Sequence, residues 1–236
     1  DPAISNVAQQ VRGVAHRLTL NVEVILALQA DLVFVALWSE ADKVAQLRQA
    51  GVPVFVTRSP LEPDGIAATI RTVARLVGES ARGEQIVERM NRRLEAVWDK
   101  VGPLPASRRL RVLDYATWGA AMGAGSSWDE LVRRAGLVNA AGGLAPDSWG
   151  QVPLSREKIL ELDPDILILP GWVYGDSAAS AAFLRQIVED PALSALRAIR
   201  QRRVYRLPEG LKGATSQYVA DAVEHLARLA YPELFP

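Results

Sequence analysis

The sequence contains no cysteine. That excludes disulfides, thiolate metal sites and cysteine nucleophiles. It leaves the compartment open, because many extracytoplasmic proteins also lack disulfides. Histidine is scarce: His16 and His225 stand far apart in the chain, so the His cluster of a zinc site is missing. Charge of one sign is missing too. Lys and Arg total 27, Asp and Glu total 27, and no basic field points to nucleic acid or an acidic membrane. No apolar run approaches the length that spans a bilayer. There is no Gly-x-Ser-x-Gly elbow and no Walker loop. The chain begins Asp1-Pro2, without an initiator Met or a signal peptide. It reads as a processed or trimmed product whose targeting information is missing rather than negative.

What is present is an ordinary globular composition. The chain has 236 residues, 49% apolar and 23% charged, enough for one large or two small domains with real cores. Residues 155 to 172, SREKILELDPDILILPGW, set the plan. Ser155 is placed to cap a helix, since its hydroxyl can accept from a free N–H of the first turn. Ile159, Leu160 and Leu162 give a short apolar helix face. Asp163-Pro164 stops the helix. Ile166 to Leu169 is an unbroken apolar run, as in a buried parallel strand. Residues 21 to 38, NVEVILALQADLVFVALW, repeat the phrase. Asn21 stands for Ser155, Glu23 for Glu157, Asp31 for Asp165 and Trp38 for Trp172. Two copies far apart suggest two similar lobes, although cap, helix, strand is also a common α/β phrase.

Residues 40 to 50 form a short helix closed by Gly51, and Val52 to Val56 is the next strand. This β–α–β order implies a parallel sheet with a right-handed crossover. Residues 64 to 101 are helical almost throughout, with a break at Gly78. The second part, from about Ala81, reads either as a stiff connector between lobes or as an ordinary surface helix. Beyond it, Leu110 to Asp114 and Val204 to Leu207 are strands. Trp128 to Ala135 is a helix, Glu209 to Gly213 a loop, and residues 216 to 229 the last helix. The fold class is therefore α/β: two Rossmann-like lobes with parallel sheets joined by a single long α-helix. The lobes fall at 1–79 and 103–236, with the connecting helix at 80–102.

Aromatic placement is the main chemical signal. Trp38, Trp118, Trp172 and Tyr174 each follow the C-terminal end of a predicted strand, where ligands of open parallel sheets bind. Tyr115 opens the same loop as Trp118, and Trp149 sits in a loop of its own. Converging rings suit a large, flat, partly apolar ligand; the same rings can instead cap the core of their own lobe. Trp98, on the long helix, reads as packing. Arg58 and Lys212 lie in equivalent loops after the second strand of each lobe. They are candidates to meet a carboxylate or phosphate, or they are simply solvated. Glu23 and Glu157 lie in first helical turns, where an acid gains about 0.3–1 kcal/mol from the helix dipole. Their equivalence also allows a two-point dock onto basic pockets of a partner. The Gly123-Ala124-Gly125-Ser126 turn could cradle an anion, although a lone Gly-x-Gly is a weak motif.

With these motifs the chain resembles the substrate-binding proteins of ABC importers, of the type with two α/β lobes joined by one long backbone helix. Ferric-siderophore, cobalamin and heme binders belong to that group. The matching residues are Asn21-x-Glu23-x-Ile25-Leu26-x-Leu28-x-x-Asp31-Leu32-Val33, then Gln46-Leu47-x-x-x-Gly51-Val52-Pro53-Val54. In the second half they are Asp129-Glu130-Leu131, Ala135-Gly136, Asn139, Gln151 to Asp165, Arg203-Val204-Tyr205 and Tyr231-Pro232-Glu233.

The resemblance implies a periplasmic protein or cell-surface lipoprotein, not an enzyme, that captures a metal chelate and hands it to an ABC permease. Glu23 and Glu157 match the two carboxylates that dock onto permease arginines. Trp149 and Trp38 fall near aromatics that contact ligand in cobalamin binders, with a loop two residues longer at Trp38. Gly210-Leu211 sits where such binders can carry a further aromatic. The histidine ligands of zinc and manganese receptors have no counterpart, so no bare metal ion and no resident cofactor is expected. One departure stands out: the strand–helix–strand unit expected before Asn21 is replaced by about twenty weakly patterned residues. The first lobe is therefore expected to be incomplete. The alternatives are an α/β enzyme or cofactor module using the inter-lobe cleft, or an interaction module with a degenerate site.

Overall fold

A computed structural model describes residues 5–14, 19–173, 176 and 178–236. His16 and Tyr174 lie outside the described residues. The chain divides into two compact units, one of Val7–Pro60 and one of Asp1–Asn6 with Leu61–Pro236.

The smaller unit is a single β–α–β phrase. Helix α1 (Val22–Ala27) starts where the Asn21 side chain accepts from the Val24 N–H. It ends at Gln29, which takes a left-handed backbone with φ 51°. Strand β1 (Val33–Ala36), helix α2 (Ala41–Gln49) and strand β2 (Val54–Thr57) follow. The strands pair in parallel, Val33 opposite Val54 through Ala36 opposite Thr57. Among the described residues, Ile25, Val35, Val44 and Leu47 are its buried side chains.

The larger unit begins with α3 (Pro63–Leu76) and α4 (Ser80–Val101), broken at Gly78, whose φ of 77° suits glycine. On α4 the buried residues are Gly83, Val87, Met90, Leu94, Val97 and Val101. Their alternating spacing of three and four makes one continuous apolar stripe. That stripe packs against α3 and the last helix within this unit. Contacts therefore group α3 and α4 with the C-terminal part of the chain, whereas the sequence pattern placed the division near residue 79.

Then come β3 (Arg111–Asp114), β4 (Ala120–Met122), α5 (Ser127–Arg134), β5 (Val138–Asn139), β6 (Gln151–Pro153) and α6 (Arg156–Leu162). They are followed by β7 (Ile166–Pro170), α7 (Ala179–Val188), α8 (Arg197–Arg200), β8 (Val204–Leu207), α9 (Glu209–Lys212) and α10 (Val219–Ala230). Four strands form a parallel sheet in the order β5-β3-β7-β8, and β4 pairs antiparallel with β6.

Every residue of β7 is buried, as expected for a strand covered on both faces. Ile166 and Ile168 point into a core shared with α4, α5 and α10. Leu167 and Leu169 point into a second core with α6 and α7. The period-two alternation of side chains thus makes a helix–sheet–helix sandwich from one unbroken apolar run.

One sequence expectation needs correction. Glu209 to Lys212 is a turn of helix, not open loop; Pro208, with φ fixed by its ring, leads into it. Trp98 packs as expected, but at the surface rather than in the core. Its ring is partly exposed and lies beneath the Arg109 guanidinium, 5.9 Å from ring centre to carbon.

Candidate ligand-binding site

The C-terminal ends of β3, β7 and β8 open onto a cavity of about 620 Å³ in the larger unit. Its lining is Ala116, Thr117, Trp118, Pro170, Trp172, Val173, Glu209, Lys212 and Gly213. A recess of about 220 Å³ shares Trp118, Glu209 and Lys212 and adds Asp114, Met122, Trp128 and Gln151. The sheet positions these groups directly. Asp114 is the last residue of β3, Pro170 the last of β7, and α9 follows β8 after one residue.

The floor is ionic. Asp114 is 1% exposed. It accepts from the Met122 N–H at 2.9 Å and pairs with Lys212 Nζ at 3.0 Å. Burial pushes its carboxyl upward, and the Lys212 charge works against that. Glu209 is raised as well, first by burial; the Lys212 charge works against that and the Asp114 charge adds to it. Lys212 Nζ also lies 6.0 Å from the Trp128 ring centre. The Trp128 indole N–H is buried without a hydrogen-bond partner among the described residues. Such a group costs about 1–3 kcal/mol when left unsatisfied.

The walls are aromatic. Trp118 is 69% exposed, yet its indole Nε1 donates to Gln151 Oε1 at 2.8 Å. Gly119, at φ 82°, makes the turn that holds it. Trp172 follows Gly171, where an added Cβ would lie 2.5 Å from the Leu207 carbonyl oxygen. Only glycine lets the chain pass so close to the end of β8.

Of the residues singled out from sequence, Trp118, Trp172 and Lys212 line one cavity. Lys212 is not a solvated cation, because its charge is committed to Asp114. Tyr115 turns away and stacks on Phe183 at 6.1 Å, against the second core. Trp149 is 79% exposed on the turn that leads into β6 and lines neither space. That turn is tied by Asp147, which accepts from the Trp149 and Gln151 N–H groups at 2.8 Å each. In the smaller unit, Trp38 follows β1 and is 76% exposed, and Arg58 follows β2, also exposed. Glu23 and Glu157 are exposed in the first turns of α1 and α6. Their own helix starts explain the local geometry; the Glu157 backbone N–H and the Ser155 hydroxyl hold the Glu157 carboxyl below the usual range.

Sequence reasoning missed Asp114, Glu209, Gln151 and Trp128. One signal was available for Asp114: an acid closing an apolar strand is buried unless the strand ends early.

The glycine turn at 123–126 does not have the form of an open anion cradle. The Gly123 N–H donates to the Gly150 carbonyl at 2.8 Å and the Gly125 N–H to Asp129 Oδ2 at 3.1 Å. Ser126 Oγ accepts from the Asp129 N–H at 3.2 Å. A carboxylate already occupies the place an anion would take. Among the described residues no group of three or more His, Asp or Glu is placed to hold a metal ion.

A sequence profile of the family described as periplasmic binding protein matches residues 2–211. The chain belongs to this family. Its mixed α/β architecture with parallel sheets matches the family's two-lobed fold. The molybdate-binding protein MolA of Haemophilus influenzae is 24% identical over 92% of this chain and 65% of its own length. The structure of MolA bound to molybdate, described as the periplasmic binding protein of an ABC transporter, superposes with a TM-score of 0.75. It is 21% identical, covering 97% of this chain and 75% of that one. A cobalamin-binding protein of Halobacterium salinarum is 32% identical over 63% of this chain and 40% of its own. The apo periplasmic heme-binding protein RhuT of Roseiflexus sp. RS-1 superposes with a TM-score of 0.75 at 26% identity. That match covers 93% of this chain and 81% of RhuT. The chain spans about two thirds of the length of the curated relatives it matches most broadly.

Proposed function

We propose that this protein is an extracytoplasmic substrate-binding protein that captures a metal chelate, such as a ferric siderophore, cobalamin or heme, and delivers it to an ABC permease. It makes and breaks no bond. The observation that carries this reading is the cavity of about 620 Å³ at the strand ends, walled by Trp118 and Trp172, in a chain of the periplasmic binding protein family. Its volume suits a ligand larger than a bare ion, and its rings suit a flat, partly apolar one. Trp38, Trp149, Arg58, Tyr115 and Tyr174 stay as candidate contacts. Glu23 and Glu157 dock the permease. The permease partner accords with the ABC transporter role that the MolA structure is described with. The protein acts in the periplasm or as a lipid-anchored protein at the cell surface, in line with a Bacillus subtilis relative named as a substrate-binding lipoprotein. Among the described residues no helix is long and apolar enough to cross a membrane.

Tryptophan-fluorescence titration tests the reading. The panel is cyanocobalamin, several ferric siderophores, haemin and free metal ions. Saturable quenching by one chelate is expected, with loss of binding on Trp118→Ala or Trp172→Ala. Coloured chelates absorb light, so the variants and a parallel equilibrium dialysis are essential controls. Saturable binding by none of the chelates, or binding indifferent to both substitutions, would remove this site as the binding site.

A further inference from the structure

The charge on the cavity floor narrows the ligand class. Asp114, Lys212 and Glu209 are the charged residues among those that line the cavity and its recess. Lys212 is the one cation of the three, and its Nζ already lies 3.0 Å from the buried Asp114 carboxylate. Glu209 faces the same space and forms no close ion pair among the described residues, although the Lys212 charge acts on it from nearby. With Asp114 and Lys212 paired as ions, the floor is neutral or negative, whichever protonation state Glu209 adopts. An anionic ligand entering this partly dry pocket would shed water and find no free positive charge among the lining residues to replace it. It would also meet the Glu209 carboxylate, and like charges brought together in such a site repel strongly. A ligand with N–H groups on its rim meets the opposite situation. The Glu209 carboxylate has lone pairs to accept from those groups, and hydrogen bonds to an ionised acceptor are the strong ones. Trp118 and Trp172 hold the apolar body of the same ligand.

From this, and resting on the binding role proposed above, we infer that the ligand is a net-neutral or cationic chelate whose rim offers N–H donors, and that Glu209 selects it. Carboxylate-bearing chelates and oxyanions are excluded. Glu209 acts through position: Pro208 sets the start of α9 and points its first residue into the cavity mouth.

The test compares probes of different charge on the whole protein. Ferrichrome and cyanocobalamin are net neutral and carry amide N–H groups; haemin, ferric citrate and molybdate are anionic. Equilibrium dialysis at neutral pH reads binding directly. One of the neutral probes is expected to bind, with no saturable binding of the three anions. Glu209→Lys should weaken the neutral probe about tenfold or more and let an anionic probe bind. Glu209→Gln should leave the anions excluded less strictly, between the two. Thermal melts check that each variant is folded, which is expected because Glu209 opens a short surface turn. Tighter binding of haemin, ferric citrate or molybdate than of both neutral probes would overturn the inference while leaving the binding function intact. An unchanged ranking in folded Glu209→Lys would overturn it as well. Silence across all five probes would instead remove the binding function, and this selectivity with it.

Discussion

Lys212 shows how far a residue's sequence context can mislead about its charge. It follows a strand in a polar loop-like stretch and reads as solvated. In the structure it is drawn onto the end of β3, where Asp114 is buried and needs a partner. A buried ion pair rarely adds net stability, because the desolvation cost offsets the attraction. Removing one member is costly, because the other charge stays behind unpaired. Asp114→Ala is therefore expected to lower the unfolding free energy by about 2–4 kcal/mol, somewhat less than for a fully enclosed pair. The double variant Asp114→Leu with Lys212→Met should recover part of that loss. The Met122 N–H, which donates to Asp114, still loses its acceptor, so recovery stays incomplete. Urea denaturation of the unaltered protein, Asp114→Leu, Lys212→Met and their double variant measures this as a cycle. Additive losses would show that the two side chains do not depend on each other.

At the level of elements, the sequence repeat has a structural counterpart in detail. Asn21 and Ser155 both cap, accepting from Val24 N–H and Lys158 N–H. Gln29 and Asp163 sit at equivalent positions and both take positive φ, 51° and 36°. The strand registers agree as well: Val33 pairs with Val54, and its counterpart Leu167 pairs with Val204. The copies differ in how the turn is secured. Asp163 and Asp165 are gripped by Arg197 at 3.0 and 2.6 Å, whereas Asp31 is exposed. Ser155→Ala should cost about 1 kcal/mol, the usual loss for a helix cap. Urea midpoints at constant slope measure it; a loss below a few tenths would mean the α6 start is fixed by other contacts, such as the Arg156–Asp190 ion pair, rather than by its cap.

This is also where legibility divides. The strands, the caps and the Gly78 break were readable because each depends on local pattern: an apolar run, a hydroxyl before a helix, a glycine after one. The Asp114–Lys212 pair and the stacking of Tyr115 on Phe183 were not. Each joins residues 98 and 68 positions apart respectively, and a single sequence carries no record of such pairing. Trp118 and Trp172 were legible as cavity-lining residues because strand ends are where parallel sheets place loops. Tyr115 follows the same rule and still turns to the core, since the first residue past a strand keeps the strand's alternation: Leu113 and Tyr115 face the same side.

For the whole molecule, the proposed role requires two separable functions, holding a ligand and meeting a permease. The proposed ligand site lies at the strand ends of the larger unit. The proposed docking carboxylates lie elsewhere in the chain, Glu23 on the smaller unit and Glu157 on the larger. Neither is engaged in an ion pair among the described residues, although the larger unit ties up many of its acids: Glu130, Asp163, Asp165, Asp221 and Glu224 all pair with arginines. Two exposed carboxylates outside any ion pair among the described residues, fixed in first helical turns, are suited to meet arginines on another protein, where charge complementarity governs encounter and register more than raw affinity. The net charge of zero makes this local rather than global: no long-range field attracts the permease, so the two points must supply the steering. The double variant Glu23→Lys with Glu157→Lys is expected to bind chelate as tightly as the unaltered protein and to fail in uptake by cells that depend on it. Each single variant should give partial uptake, because one contact of two persists. Normal uptake by the double variant would overturn the docking role. Loss of chelate binding together with uptake would show that these carboxylates support the ligand site instead of a separate dock. Raising ionic strength gives an independent check. Uptake through exposed charge pairs should weaken as salt shortens the screening length from about 10 Å at 0.1 M, while chelate binding in the tryptophan-walled cavity should change much less.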